Sequence, residues 1–94
     1  MEQEFEWDER KRQKNLEAHG IDFADILPLF IQQETVVFED TRKDYGEERY
    51  ILMGELHDLF FQVAFTRRGT TVRIISARRG NKRERRIYEQ QENN

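Results

Sequence analysis

The chain has 94 residues, which suffices for one domain with one hydrophobic core and leaves no room for a separate cofactor-binding domain. Charged residues make up 37% and hydrophobic residues 36%, and seven Phe, three Tyr and one Trp can still fill a small core. The sequence has no cysteine, which excludes disulfides, thiolate zinc sites and cysteine nucleophiles. It also has no long apolar run and no basic-then-apolar leader, so we expect a soluble, cytoplasmic protein.

The net charge of −3 conceals an asymmetry along the chain. Residues 1–66 carry seven Lys and Arg against sixteen Asp and Glu, whereas residues 67–94 carry nine against three. Most of the basic residues are Arg, whose planar guanidinium recognises phosphate and carboxylate groups through paired hydrogen bonds. The asymmetry indicates either a surface that faces a polyanion or two parts that pair their charges within the fold, and the sequence leaves both readings open.

The N-terminal third predicts a short strand followed by two helices. Residues 5–7 alternate as a strand does, and Asp8 is a favourable N-cap for a helix over residues 9–18. The pair His19-Gly20 ends that helix, because glycine suits the left-handed position after a helix C-terminus. A second, short helix is expected after Asp22.

The remainder predicts a sheet of about four antiparallel strands and a terminal helix. The expected strands are residues 34–40, 48–53, 59–66 and 71–78, and the turns between the last three are residues 54–58 and 67–70. Arg49 falls inside the second of these strands. Asn81 and Glu84 form a capping pair for a helix that runs to about Gln90, followed by a frayed tail over residues 91–94. The order of elements predicts an α+β fold in a single domain over residues 1–94.

The familiar strong catalytic motifs are missing from the sequence, which contains neither a phosphate-binding loop nor a zinc-protease motif nor a serine nucleophile elbow. What it does contain is a set of arginines in and beside the predicted strands, namely Arg49, Arg67, Arg68, Arg73, Arg78 and Arg79. A buried arginine is costly unless paired, so these side chains must face solvent, a carboxylate or a cleft. In a metal-free ribonuclease, such groups can stabilise the charge that develops on phosphate when a ribose 2′-hydroxyl attacks it.

Arginine stays protonated, so proton transfer in such a reaction needs a different side chain. His19 is a candidate, although a histidine is also favourable at a helix C-terminus, and His57 is expected to be solvated in a hairpin turn. Tyr88 can stack on a base, donate a proton or anchor the core. Arg85 can contact RNA, a partner protein or the surroundings of Glu84. These alternatives stay open at the level of the sequence.

Short motifs spread over nearly the whole chain are each weak, but their order and spacing together are specific. In chain order they are Phe5-Glu6-Trp7-Asp8, Lys11, Asn15, His19-Gly20-Ile21, Phe23, Asp44-Tyr45-Gly46-Glu47-Glu48-Arg49, Phe65-Thr66-Arg67, Gly69, Arg73-Ile74-Ile75-Ser76-Ala77-Arg78, Glu84-Arg85 and Tyr88. In these residues the chain resembles the BrnT family of bacterial type II toxin-antitoxin systems.

The resemblance implies a ribonuclease toxin with a RelE-like fold, which inhibits translation by cutting RNA and needs no metal or other cofactor. It also implies a BrnA-type antitoxin with a ribbon-helix-helix DNA-binding part, which neutralises the toxin and brings the complex to operator DNA. Its implied catalytic residues are His19, Arg49, Arg67 and Arg78. Its implied RNA-binding residues are Arg73, Tyr88 and Arg85.

Two positions depart from the family pattern. Ala18 stands where a lysine is common before the His-Gly pair, and Gly80 stands where alanine is common. If that lysine binds phosphate, then Lys11 or Lys14 must take its place or the nuclease is weakened. The alternative function is therefore a non-catalytic basic module, a degenerate toxin that acts by binding an antitoxin or nucleic acid.

Overall fold

The sheet has five strands in the order β1-β5-β4-β3-β2 in the computed structural model, which describes residues 2–92. The elements in chain order are β1 (Glu4–Trp7), α1 (Glu9–His19), a 3₁₀ helix (Phe23–Phe30), β2 (Thr35–Glu39), β3 (Tyr50–Leu56), β4 (Leu59–Arg68), β5 (Thr71–Arg79) and α2 (Lys82–Glu92). The predicted α+β class is confirmed, and the arrangement is consistent with a RelE-like fold. Of the tail predicted to fray, residues 93 and 94 lie outside the described residues.

The number of strands is five rather than about four, because β1 joins the sheet. It pairs in parallel with β5, with Phe5 opposite Val72 and Trp7 opposite Ile74, while the other strand pairs are antiparallel. The alternation of Phe5 and Trp7 predicted the strand itself. Its partner was not predictable, because a strand joined through a helix carries no register information of the kind a hairpin turn supplies.

The first helix lies where the sequence predicts it, and its last residue is His19. Asp8 accepts hydrogen bonds from the backbone N–H groups of Lys11 and Arg10, and these bonds hold the pKa of its carboxyl below the ordinary value. Gly20 follows with φ of 69°, in the left-handed region that favours glycine.

The second helix is a 3₁₀ helix, which the sequence did not distinguish from an α-helix. Asp22 caps it by accepting a hydrogen bond from the N–H of Ala24. Pro28 lies inside the segment and has no N–H for an α-helical hydrogen bond. The residues that it buries most completely are spaced by three, as the three-residue turn of a 3₁₀ helix requires: Phe23, Ile26 and Leu29.

The hydrophobic residues form two clusters, one on each face of the sheet. The larger cluster lies between the sheet and the 3₁₀ helix, on the face that we call the 3₁₀ face. Its buried residues are Ile21, Phe23, Ile26, Leu29, Leu52, Phe61, Val63, Phe65, Val72, Ile74 and Ala77. The smaller cluster lies on the opposite face, which we call the α2 face. Its buried residues are Ile51, Met53, Phe60 and Tyr88.

The strand β3 continues through Gly54, where the sequence predicted a turn. A Cβ at Gly54 would lie 2.9 Å from the Thr35 side chain and 3.1 Å from that of Leu29, so glycine here permits close packing instead of a turn. The turn itself contains only His57 and Asp58, whose φ angles are 53° and 64°.

Two further predicted boundaries are wrong by one or two residues. Arg49 lies immediately before β3 instead of inside it, and β4 extends through Arg68, which leaves Gly69 and Thr70 as the turn into β5. The expected positions of the strands are otherwise confirmed. Within residues 2–92, no helix is long and apolar enough to cross a membrane.

The capping pair predicted for α2 is confirmed. The N–H of Glu84 donates to Asn81 Oδ1 at 2.8 Å, and Glu84 Oε1 accepts from the N–H of Asn81 at 2.9 Å. The helix docks on the α2 face through Tyr88, whose ring centroid lies 5.3 Å from that of Phe60.

Candidate functional site

Three of the candidate arginines lie on the α2 face of the sheet. Arg73 lies opposite Thr66, and Arg78 follows on the same face of β5 because the intervening Ile75 is an extra, bulged residue. The ladder between β2 and β3 extends one residue past the strand, since the Asp40 N–H donates to the Arg49 carbonyl at 2.7 Å. The β3–β4 register, continued by one residue, places Arg49 opposite Thr66.

A compact polar loop over residues 40–49 positions Arg49. The guanidinium carbon of Arg49 lies 4.1 Å from the ring centroid of Tyr45, and its Nε lies 3.4 Å from a Glu47 carboxylate oxygen. Tyr45 in turn donates its hydroxyl hydrogen bond to Asp40 at 3.0 Å. The motif at residues 44–49, which contributes to the family resemblance, therefore stacks the Arg49 guanidinium on the Tyr45 ring, and Asp40 holds that ring in place.

The anchor of that loop is the buried carboxylate of Asp40. It accepts hydrogen bonds from Arg42 Nε at 2.8 Å and Nη2 at 2.9 Å, in addition to the bond from Tyr45. The hydrogen bonds from the Arg42 guanidinium hold the pKa of Asp40 well below its usual range, and the Asp40 carboxylate in turn raises the pKa of Arg42. The carboxylate stays charged and keeps the loop in place at neutral pH.

The other two arginines of the α2 face are engaged with carboxylates. Arg73 pairs with Glu6 of β1. Arg78 donates to both oxygens of Glu84, at 2.9 and 2.6 Å, and Gln62 donates to the same carboxylate at 2.9 Å. The bonds from Arg78 lower the pKa of Glu84. An incoming phosphate must compete with these carboxylates.

Arg67 does not join this group. It lies opposite Val72, a core residue of the 3₁₀ face, and its guanidinium carbon lies 5.7 Å from the ring centroid of Phe65. It is exposed, at the end of the sheet remote from the His57 turn. The candidate residues implied by the family resemblance therefore occupy both faces of the sheet.

Tyr88 and Arg85 lie on α2 in different environments. Tyr88 is only 4% exposed and donates its hydroxyl hydrogen bond to the Glu34 carbonyl at 3.0 Å. Of the roles that the sequence left open for it, this burial favours the core anchor. Arg85 lies nearer the surface, with its guanidinium 5.0 Å from the ring centroid of Phe60 and 3.2 Å from a Glu55 oxygen.

His19 borders a cleft of about 290 Å³ beside the 3₁₀ helix, at the lower end of the size range of small-ligand sites. The cleft lies where the C-terminus of α1 meets the β3–β4 turn and the end of β5. Its polar lining consists of His19, His57, Arg79, Asp22 and Asp25, and Ile26 and Phe61 contribute apolar surface. Both histidines of the chain border this cleft.

A second groove begins on the other side of His19, along the helix. It is lined by Lys11, Lys14, Ala18, His19 and Ile75. The two lysines that the sequence offered as substitutes for the missing lysine at position 18 therefore lie in the same groove as Ala18. His19 lies between a basic groove and a cleft that contains an arginine.

Asn15 explains why helix α1 lies against the free part of the β5 edge. Its side-chain amide donates to the carbonyls of Ala77 and Ile21 at 2.8 and 3.0 Å, and its oxygen accepts from the Ala77 N–H at 3.0 Å. The buried amide thus pairs with β5 as a neighbouring strand would. It fixes α1, and with it His19, on the sheet.

His19 lines the same cleft as two residues for which the sequence indicated no catalytic role, His57 and Arg79. His57 was expected to be merely solvated, and Arg79 was one of six strand arginines without a distinct role. Arg79 pairs with Phe61, so its side chain lies on the 3₁₀ face, whereas the side chain of Arg78 lies on the α2 face. Strand alternation was a usable signal for Arg79, whereas nothing in the sequence connects the His57 turn with α1.

The sequence model of the BrnT family, the ribonuclease toxin of a type II toxin-antitoxin system, matches residues 7–84. Because the match covers most of the chain, the protein belongs to this family and is a ribonuclease toxin of a type II system. The family assignment implies endoribonuclease activity, an RNA substrate and a cognate antitoxin. A comparison with curated proteins found no match.

Proposed function

We propose that this toxin cuts RNA by attack of a ribose 2′-hydroxyl on the adjacent phosphate, using its own side chains and no metal ion. The position of His19 carries the proposal. Its exposed imidazole lies between the groove with Lys11 and Lys14 and the cleft with Arg79. Imidazole suits proton transfer near neutral pH, and the neighbouring cations suit a phosphodiester backbone.

The arginines are assigned to the phosphates of the RNA strand. We assign Arg78 to a phosphate that flanks the cleavage site, because it follows Ala77, to which Asn15 ties the helix of His19, while its side chain lies on the opposite face of β5 from the cleft. Arg49 and Arg67, at the other end of the sheet, are assigned to the RNA backbone. Arg73 and Arg85 are assigned to the same task, and buried Tyr88 to support of α2.

A cleavage assay with the purified chain tests this proposal. We expect cleavage of single-stranded RNA to persist in EDTA and to fall by roughly a hundredfold or more in His19→Ala, the usual contribution of a proton-transfer group. Glu17→Ala, on an exposed residue of the same helix, is the matched control and should retain activity. Loss of cleavage in EDTA, or full activity of His19→Ala, would contradict the proposal.

The second candidate is a binding module without catalysis, and the ion pairs of Arg73 and Arg78 favour it. These two arginines pair with Glu6 and Glu84 and can stabilise the fold without binding RNA. In that case the chain binds RNA with an affinity that falls with salt, while the RNA stays intact. Measuring binding and cleavage on the same RNA separates the two functions.

We further propose that the cognate antitoxin is a BrnA-type ribbon-helix-helix protein, and that the toxin meets operator DNA only within their complex. The family assignment supports an antitoxin, and the proposal adds its type. RNA cleavage would then inhibit translation in the cytoplasm. A gel-shift experiment with operator DNA should show binding by the complex and none by the toxin alone, and a shift by the toxin alone would contradict the proposal.

A further inference from the structure

We propose that His57 and Arg79 complete the reaction centre around His19. In this arrangement the cleft receives the scissile phosphate and its neighbouring nucleotide, and the two imidazoles act as the general base and the general acid. The inference rests on the proposed ribonuclease function and deepens it. It assigns the second proton-transfer group, which the family resemblance did not supply.

Three separate elements converge to form this cleft. The end of α1 contributes His19, the two-residue turn between β3 and β4 contributes His57, and the end of β5 contributes Arg79. The 3₁₀ helix and β4 add the apolar side chains Ile26 and Phe61. Cationic and proton-exchanging groups beside an apolar surface suit a nucleotide, whose phosphate is charged and whose base is flat and largely apolar on its faces.

The chemistry balances with these groups alone. One imidazole takes the proton of the 2′-hydroxyl while the 2′-oxygen forms a bond to phosphorus. The bond from phosphorus to the 5′-oxygen breaks, and the protonated second imidazole gives its proton to that oxygen. The products are a 2′,3′-cyclic phosphate and a 5′-hydroxyl, and proton exchange with water restores both imidazoles. Arg79 stabilises the additional negative charge on the phosphate oxygens during the step.

The backbone at His57 supports a functional role for its side chain. His57 and Asp58 both have positive φ, as in the two-residue turns for which Asn-Gly is preferred. A histidine in this conformation is less favourable than asparagine or glycine, and such strained residues cluster at functional sites. The turn thus holds an imidazole at the cleft although other residues fit the backbone better.

One of the two acidic residues that line the cleft is already paired with a cation. Asp22 accepts hydrogen bonds from Arg12 at 3.0 and 2.9 Å, which hold the pKa of its carboxyl below the ordinary value. Its charge is therefore compensated outside the cleft. Asp25 is exposed in the first turn of the 3₁₀ helix and is the second carboxylate of the lining.

The decisive experiment is chemical rescue. His57→Gly keeps a residue that accepts positive φ and leaves space for added imidazole. On a single-stranded RNA oligonucleotide we expect its cleavage rate constant to fall by roughly a hundredfold or more and added imidazole to restore part of the rate. We expect Arg79→Gln to lower the rate by roughly a hundredfold. Asp58→Asn, at the adjacent turn residue, and Arg83→Gln, on an exposed arginine of α2, should stay within about twofold of wild type.

The outcomes separate the inference from the function on which it rests. Wild-type cleavage that leaves a 2′,3′-cyclic phosphate, combined with loss and imidazole rescue in His57→Gly, supports the inference. Undiminished cleavage by a folded His57→Gly chain overturns the inference and leaves the ribonuclease function in place. A loss of cleavage in His57→Gly that added imidazole cannot rescue has the same meaning. A wild-type chain that leaves the RNA intact removes the proposed function and the inference together.

Discussion

At the scale of single residues, the buried amide of Asn15 joins α1 to the edge of the sheet. Replacing it by alanine leaves the backbone N–H and carbonyl of Ala77 buried without their partner. We expect Asn15→Ala to lower the free energy of unfolding by about 2–4 kcal/mol, since each buried unsatisfied group costs about 1–3 kcal/mol. Urea denaturation measures this change, and Lys14→Ala should stay within about 0.5 kcal/mol of wild type.

The carboxylate of Glu84 makes stability depend on pH. Its pKa in the folded chain is lowered chiefly by the bonds from Arg78, so its contribution is complete above the ordinary glutamate pKa of about 4.3. This contribution is lost as pH falls through the lowered folded-state pKa, because the proton binds the unfolded chain more readily. Urea denaturation between pH 6 and about pH 3 should show falling stability with acid, and Glu84→Gln should show a shallower fall. An unchanged slope in Glu84→Gln would refute this assignment.

Gly80, one of the two departures from the family pattern, leaves space for the ring of Phe60. A Cβ at residue 80 would lie 2.2 and 2.4 Å from two carbons of that buried ring. We expect Gly80→Ala to cost about 1–3 kcal/mol of stability, as other overpacked sites do. The double variant Gly80→Ala with Phe60→Leu should lose less free energy of unfolding than the sum of the losses in the two single variants. Strict additivity would show that the two positions do not interact.

At the scale of elements, the residues of the β3–β4 turn serve the proposed activity but lower the stability of the fold. Replacing His57-Asp58 by Asn-Gly supplies the residues that this backbone prefers and should raise the free energy of unfolding by about 1 kcal/mol. The same replacement removes an imidazole from the cleft, so RNA cleavage should fall. Thermal melting and the cleavage assay on one preparation measure both effects. A variant with unchanged cleavage would contradict the role of His57, and one with lower stability would contradict the account of the turn.

The elements themselves were predictable where the evidence for them is local. Asp8 and Gly20 delimit α1, and Asn81 with Glu84 begins α2, because caps act over three or four residues. The turn predicted at Gly54 was wrong, since the close approach of this glycine to Thr35 depends on how the 3₁₀ segment and β2 pack. The parallel partner of β1 was equally hidden, because that pairing joins residues far apart in sequence.

At the scale of the whole molecule, the charge asymmetry is partly resolved within the fold. Glu6 pairs with Arg73, and Glu55 pairs with Arg85, so the acidic and the basic parts of the chain meet across the structure. Both readings that the sequence left open thus have support. Some arginines are neutralised locally, whereas Arg79 borders a cleft suited to an anion.

The candidate site was predictable only in part. The residue types followed from the chemistry of phosphate, and the family resemblance supplied the positions of His19 and Arg78. Because side chains alternate along a strand, Arg78 and Arg79 lie on opposite faces of the sheet. The residue that borders the cleft of His19 is therefore Arg79, the neighbour of Arg78 in sequence. The meeting of His19 with His57 depends on tertiary packing alone.

The most direct test of the central claim is induction of the chain in a bacterial host, with growth and total RNA integrity as the readouts. Wild type, His19→Ala and Arg78→Ala are compared, each with and without the cognate antitoxin, with chain levels and folding verified. We predict that wild type arrests growth and degrades RNA, and that either substitution or the antitoxin relieves both effects. A well-expressed, folded wild-type chain that permits growth and leaves RNA intact would contradict the assignment of this chain as an active ribonuclease toxin.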